Sequence, residues 1–333
     1  MRVKPLKVAI IYNDPFTEPQ DYCGEEEAIT GVLEEVVAVK KALLELGHTV
    51  EKVPLRPPLE SVPAALDNIK ADVIFNLFEG FEDLPHSEPV VARMMEEKGL
   101  RFTGNSSRVL ALTLDKADFK SVLNEAGVGT PAFQVLTPDN MNSFNLDFPC
   151  IVKPRDEDAS HGLSPENVVC NREQLELQVT RISGRFRGYA LVEEFVDGRE
   201  FNSSILGNRV HEVIEISEIT YTLPPGLPRI LTFESKWFEE TDYYKGTGVC
   251  CPAEISRDLR ETIQSIVLAS CKAAGCRGYA RVDMRQASDG SIKVLEVNAN
   301  PDITPELGIA RQAAARGMAY TELIQKIIDL ALE

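Results

Sequence analysis

The sequence predicts an α/β protein, with an N-terminal doubly wound lobe on a parallel sheet followed by two α+β lobes. Three observations carry that expectation. Strand and helix patterns alternate through the first third of the chain. Beyond Gly127 the texture changes to strand after strand. At 333 residues and 36.9 kDa the chain is long enough for several cores.

Residues 6–12 read as a buried strand, and residues 25–46 carry apolar positions at helical spacing with Gly47 as the stop. A strand at 49–54, a short helix near 62–69 and a strand at 72–77 follow. A helix over 89–98 ends at Gly99, ahead of a short strand at 100–103. Such alternation argues for parallel strands joined by crossover helices. After the first strand the chain reads Asn13-Asp14-Pro15-Phe16, with none of the glycines a dinucleotide fingerprint needs, so this lobe does not hold a nucleotide in the usual doubly wound way.

Residues 109–126 predict one helix ending at Gly127. Strands are expected at 133–136, 150–153, 168–170, 189–195 and 200–206, with Asp197-Gly198 predicting a hairpin between the last two. A helix over 258–274 stops at Gly275. Strands at 278–284 and 292–297 turn at Ser288-Asp289-Gly290, and residues 320–332 close the chain as an amphipathic helix. The domain boundaries that follow are 1–108, 109–192 and 193–333.

The formal charge of −17 repels nucleic acid and anionic membrane surfaces on average. No stretch approaches bilayer length and no cleavable signal pattern leads the chain, so the expectation is a soluble, cytoplasmic protein. Seven cysteines without a CxxC pair point to reduced thiols, the vicinal Cys250-Cys251 included.

Three segments could carry chemistry. Arg281-Val282-Asp283 and Glu296-Val297-Asn298 lie on consecutive strands, and in each the polar residues alternate with an apolar one. Asp283, Glu296 and Asn298 therefore share a face with Arg281, as hard oxygen ligands suited to Mg²⁺ on nucleotide phosphates. Ile151-Val152-Lys153-Pro154 leads into the small-residue loop Ala159-Ser160-His161-Gly162, a phosphate-binding pattern in an acidic setting. Leu191-Val192-Glu193-Glu194-Phe195-Val196 can flank an adenine and its ribose. Taken singly, these segments also read as a solvent-facing strand pair, a surface turn and one more hairpin strand. His161 reads equally as a phosphate contact or an exposed loop residue, and loop 243–248 as a substrate contact or a plain connection.

In their order along the chain, with Thr113-Leu114-Asp115-Lys116, Gly278-Tyr279-Ala280 and Ala299-Asn300-Pro301, these motifs resemble the ATP-grasp superfamily, in its D-alanine–D-alanine ligase-like branch. The resemblance spans essentially the whole chain. It implies an ATP-grasp fold and an ATP-dependent carbon–nitrogen ligase that activates a carboxylate as an acyl phosphate and passes it to an amine. It also implies two Mg²⁺ ions (Mn²⁺ as the alternative), small-molecule carboxylate and amine substrates, and a homodimer.

Residue by residue, the resemblance places Lys116 and Lys153 on the nucleotide phosphates, and Ser160 and Gly162 in the loop over the γ-phosphate. Glu193, Glu194 and Val196 fall in the adenine hinge, and Glu200 at the ribose. Asp283, Glu296 and Asn298 are implied as the metal ligands, and Arg281 as the stabiliser of charge at the acyl centre. Glu27 and Ser160 match members of a hydrogen-bonded set, and Lys236 matches a lysine near the acceptor.

Several substrate positions depart from the branch. Ala159 stands for the first serine of a pair, Trp237 for a tyrosine, and Asp302 for a glycine that donates its N–H. Leu307 replaces a serine that holds the acceptor carboxylate, and a histidine is missing from Asn76-Leu77-Phe78-Glu79-Gly80. Two other readings stay open: a nucleotide-binding regulatory protein with little turnover, and another ATP-grasp reaction class.

Overall fold

The computed structural model describes residues 4–14, 26–81, 84–157, 162–186, 188–232, 235 and 238–333, with the side chains of 26–30 outside that description. The N-terminal lobe alternates as β1 (Lys7–Asn13), α1 (Glu26–Glu45), β2 (Thr49–Leu55), α2 (Val62–Asp67), β3 (Val73–Leu77) and α3 (Ser87–Glu97). Its strands are parallel in the order β2-β1-β3. Helices on both faces explain why β1 is buried from Val8 to Tyr12 without alternation.

Two predicted elements are corrected here. The strand at 100–103 is only an isolated bridge from Phe102 to Ile74. The Thr103 hydroxyl takes the Asn76 N–H that a longer ladder would use, and Gly104 turns away at φ 85. The single helix over 109–126 is two, α4 (Ser107–Leu114) and α5 (Lys116–Glu125). Asp115 leaves the helical region and its carboxylate accepts the N–H groups of Ala117 and Asp118, capping α5. The break sets Lys116 at the first turn of a helix.

A four-stranded antiparallel sheet follows, formed by β4 (Phe133–Leu136), β5 (Cys150–Pro154), β6 (Val168–Val169) and β7 (Ala190–Glu194) in the order β4-β7-β5-β6. Before β7 comes α6 (Arg172–Arg185), which packs Leu175, Val179 and Ile182 on the sheet. The sequence reading missed this helix, although its apolar spacing and the Asn171 cap both signal it.

The last sheet has the order β10-β9-β8-β11-β12 and is antiparallel throughout. Its elements are β8 (Glu200–Leu206), β9 (Glu212–Tyr221), α7 (Asp242–Gly246), β10 (Thr247–Cys250), α8 (Arg257–Ala274), β11 (Tyr279–Gln286) and β12 (Ile292–Asn298), followed by α9 (Gly308–Ala315) and α10 (Tyr320–Leu332).

The Asp197-Gly198 hairpin is a further correction. β7 and β8 belong to different sheets, so the pair marks a crossover between lobes. A Cβ on Gly198 would stand 1.7 Å from the Gln286 carbonyl oxygen, so glycine is required by close backbone approach. The β11–β12 hairpin closes at Asp289-Gly290 as expected, with Ala287 N–H donating to Ser291 O at 2.7 Å.

Helix α8 packs Ile263, Val267 and Cys271 beneath Phe201, Val282 and Met284. Helix α10 returns to the first lobe, where Leu323, Ile324, Ile327 and Ile328 share a core with Val8, Ile10, Val36 and Leu43. Among the described residues no helix is long and apolar enough to cross a membrane, and the described cysteines are free thiols.

Asn105 locks the first lobe to the last sheet. Its buried amide donates to Tyr279 O at 2.8 Å and Ala299 O at 2.7 Å, and its oxygen accepts from Arg277 N–H at 2.8 Å. Three backbone groups at the ends of β11 and β12 depend on one side chain. Asn105→Ala should lower the unfolding free energy by about 3 kcal/mol, as leaving buried polar groups unpaired does, read by urea denaturation. A loss within experimental error would contradict the clamp.

Candidate active site

Three adjacent strands of the last sheet, β8, β11 and β12, present one polar row. Register pairs Arg281 with Asn298 and Asp283 with Glu296 across β11–β12. It pairs Arg281, Asp283 and Arg285 with Ser204, Asn202 and Glu200 across β11–β8. The period of two that predicted a shared face for Arg281, Asp283, Glu296 and Asn298 is thus realised. At one end α9 covers the row, and its buried Gln312 accepts from Ser204 N–H and donates to Asn202 Oδ1, both at 2.8 Å.

Charge on this face is paired. Arg281 donates from Nε and Nη2 to the two oxygens of Asp283, each at 2.8 Å. Burial pushes Asp283 upward against the pull of Arg281, with Glu296 and Glu200 adding repulsion, and its pKa sits above the ordinary carboxylate value. Burial works against the Arg281 charge too, but Asp283, Glu296 and Asp302 hold it firmly protonated. The two directions pull apart on paper; the bidentate geometry makes the pair ionic. Glu296 lies 3.5 Å from the Lys116 ammonium. Asn298 Oδ1 accepts from Asn300 N–H at 3.0 Å.

Two adjacent carboxylates and an amide oxygen form a small hard-oxygen set, which suits a divalent ion that keeps water and phosphate in its remaining positions. Among the described residues no three His, Cys, Asp or Glu side chains gather to hold a metal by themselves. The set therefore fits Mg²⁺ shared with a phosphate ligand rather than an all-protein cage.

The lysines converge from the other side. Lys116 N–H donates to Arg155 O at 3.1 Å, and its ammonium to Glu157 O at 2.5 Å, which holds α5 against the chain leaving β5. Lys153 on β5 reaches Glu193 at 3.1 Å. Glu193 is 1% exposed and meets a second lysine, Lys120, at 3.2 Å. Lys120 is fully buried, donating to Thr130 Oγ1 at 2.9 Å and to Leu295 O at 3.1 Å. Burial raises Glu193, but the two ammoniums outweigh it and hold its carboxyl below the ordinary range. For Lys120 burial wins, lowering its pKa despite Glu193.

Sequence reasoning missed Lys120 because a lysine on an amphipathic helix reads as solvated. Within the segment expected to flank the adenine, the Glu193 side chain points to the lysines, Glu194 is exposed and Val196 is buried. Glu200 is buried on β8, with Arg285 and Tyr221 as partners that the sequence did not reveal. Gly162 adopts φ 73, and a Cβ there would stand 2.7 Å from the Phe186 ring. Ser160, Ala159, His161, Lys236, Trp237 and the Glu27 side chain lie outside the described residues.

Near Arg281 the first lobe contributes Glu35, whose Oε1 accepts from Ile303 N–H at 2.8 Å. Burial, then Asp302 and Glu79, push Glu35 well above the ordinary carboxylate value. Asn300 ties the lobes together, donating to Glu88 at 3.0 Å and accepting from Tyr279 OH at 3.1 Å.

Two antiparallel sheets, with Lys116 and Lys153 on the side of one and a carboxylate–amide face on the other, define an ATP-grasp protein. The D-ala D-ala ligase C-terminus family matches residues 122–329. An uncharacterised protein of Sinorhizobium fredii is 35% identical over 259 residues, covering 78% of this chain and 74% of its own. The D-alanine–D-alanine ligase of Gluconobacter oxydans is 29% identical over 98% of this chain and 99% of its own.

Among solved structures, the VanG D-Ala:D-Ser ligase of Enterococcus faecalis superposes with a TM-score of 0.76 at 20% identity, covering 98% of this chain and all of its own. The D-alanine–D-alanine ligase of Bacillus anthracis, complexed with ATP, gives 0.74 at 21% identity, covering 99% of this chain and 98% of its own. The chain belongs to the D-alanine–D-alanine ligase family of ATP-dependent ligases.

Lys120→Met would strand the buried Glu193 with one partner, and a loss of about 3–5 kcal/mol is expected, as for breaking a buried pair. Chemical denaturation reads this, and wild-type stability would contradict it. Glu35 provides a pH test. Its raised folded-state pKa gives stability that is complete below the ordinary glutamate value of about 4.3 and is lost as pH rises through the folded pKa. Glu35→Gln, which mimics the protonated form, should melt like the wild type at pH 4 and above it at pH 8. Equal melting temperatures at both pH values would contradict the assignment.

Proposed function

We propose that this chain is an ATP- and Mg²⁺-dependent carboxylate–amine ligase that forms an amide through an acyl phosphate. The observation that supports the reading is the ion pair of Lys116 with Glu296, on the face shared by Arg281, Asp283 and Asn298, beside Lys153 held by Glu193 on the neighbouring sheet. The family membership supports the reaction class.

In this reading Lys116 and Lys153 hold the nucleotide phosphates as ammonium counter-ions. A carboxylate oxygen of the acid attacks the γ-phosphorus, and ADP departs with the bridging oxygen. The amine nitrogen then attacks the acyl carbon, and Arg281 neutralises the oxyanion that develops there. Collapse expels inorganic phosphate, the amine gives up a proton, and the amide remains. Asp283, Glu296 and Asn298 would hold Mg²⁺, which supplies charge neutralisation along the phosphates.

Asp302 faces Arg281 closely enough to strengthen its charge, and Leu307 is 44% exposed at the start of α9. These are positions at which the chain departs from the dipeptide-ligase pattern, so the acceptor amine is not D-alanine by default; the acid is an amino acid or another small carboxylate.

An ADP-release screen with Mg²⁺ and ATP over pairs of amino acids, small acids and amines should give release that depends on both partners. If no pair releases ADP although nucleotide binds, the regulatory nucleotide-binding reading replaces this one. Asp283→Asn and Glu296→Gln should each cut turnover by about 100-fold or more, the scale of a lost electrostatic stabiliser, with the fold retained by circular dichroism. Chelation by EDTA should abolish release and Mg²⁺ restore it. Wild-type rates in either variant, or in EDTA, would sink the metal assignment.

A further inference from the structure

Glu200, buried on β8, is held in an unusual way. One oxygen, Oε2, accepts from Tyr221 OH at 2.7 Å, from Arg285 Nε at 3.1 Å and from Arg285 Nη2. The same guanidinium donates from Nη1 to Val196 O at 2.8 Å and from Nη2 to Arg229 O. Its carbon lies 5.6 Å from the Phe195 ring centroid and 6.0 Å from that of Tyr221. Arg285 is 4% exposed, and it stands two residues from Asp283 on β11, directly across from Glu200 on β8.

These contacts are lopsided. Oε2 is saturated by three donors, while Oε1 has no hydrogen bond among the described residues. An ionised carboxylate can only accept, so Oε1 is the oxygen left to take a donor from outside the protein, water or a bound ligand. Arg285 is also the link between the two places where a nucleoside would be gripped, the Val196 carbonyl in the crossover and Glu200 beside it. Neither the metal face nor the lysine cluster needs an arginine at this position.

We infer that Arg285 and Tyr221 are positioning residues that aim Glu200 Oε1 at a sugar hydroxyl, making the site select ribonucleotides over their deoxy counterparts. The inference rests on the nucleotide-binding reading above and adds to it what sets the sugar specificity. Rotating Oε1 away, or freeing Oε2 to compete for the same donor, removes the selectivity without removing the phosphate and metal contacts. A purely structural role for Arg285 would weaken all nucleotides alike.

The test is calorimetric binding of MgATP, 2′-deoxy-MgATP and 3′-deoxy-MgATP to the full chain. The proteins compared are the wild type, Tyr221→Phe, Arg285→Lys and Arg285→Met. The wild type should prefer ATP over at least one deoxy analogue by about 10-fold or more, the value of a hydrogen bond to a charged group. Tyr221→Phe removes one hydroxyl and little packing, and should reduce that ratio about threefold or more, mainly by weakening ATP. Arg285→Met should nearly erase it, and Arg285→Lys should restore only part.

If the variants bind ATP with the wild-type ratio, or if the wild type does not distinguish the three nucleotides, the inference is wrong while the ATP site stands. If none of the nucleotides binds the wild type, the nucleotide reading itself fails and takes the inference with it. Should Arg285→Met not fold, Tyr221→Phe decides alone.

Discussion

A single buried carboxylate, Glu193, sets the geometry on which the cleft depends. It sits at the end of β7 between Lys153 of β5 and Lys120 of α5. Lys120 passes the constraint on to the Leu295 carbonyl, next to Glu296 on β12. A charge this deep persists only if it is paired and hydrogen-bonded. The three groups therefore lock the central sheet, the α5 helix and β12 to one another. With two ammoniums for one carboxylate, the cluster keeps a net positive charge, and Lys153, at 14% exposed, is its more accessible end.

The same logic of pairing runs along the polar row. Asp283 is met by Arg281, Glu296 by Lys116 and Glu200 by Arg285. A chain with formal charge −17 thereby gathers cations along this row, where the proposed function puts the phosphates. Low local dielectric strengthens each of these contacts, so that small displacements of one partner are felt by its neighbours. The first lobe takes part through Asn105, Asn300 and Glu35, which fix the ends of β11 and β12 and the segment around Ile303.

Much of this was legible before any coordinates. Alternating elements predicted the parallel sheet, and a period of two placed Arg281, Asp283, Glu296 and Asn298 on one face. What was illegible depends on contacts distant in sequence. Asp197-Gly198 obeys local hairpin grammar, yet the glycine answers to the Gln286 carbonyl. Asp115 breaks a run of good helical spacing because its carboxylate caps the next helix. Lys120 and Arg285 carry no local mark of burial, since a lysine on a helix and an arginine on a strand ordinarily reach solvent. Only the packing of Glu193 against one and Glu200 against the other reveals them.

The central claim is that the acid is activated by phosphorylation of its own carboxylate. Turnover of an acid labelled with ¹⁸O in both carboxylate oxygens, together with its amine, tests this most directly by mass spectrometry of the released phosphate. An acyl phosphate predicts one ¹⁸O atom in each inorganic phosphate formed. Phosphate free of label, with amide product accumulating, would contradict the account.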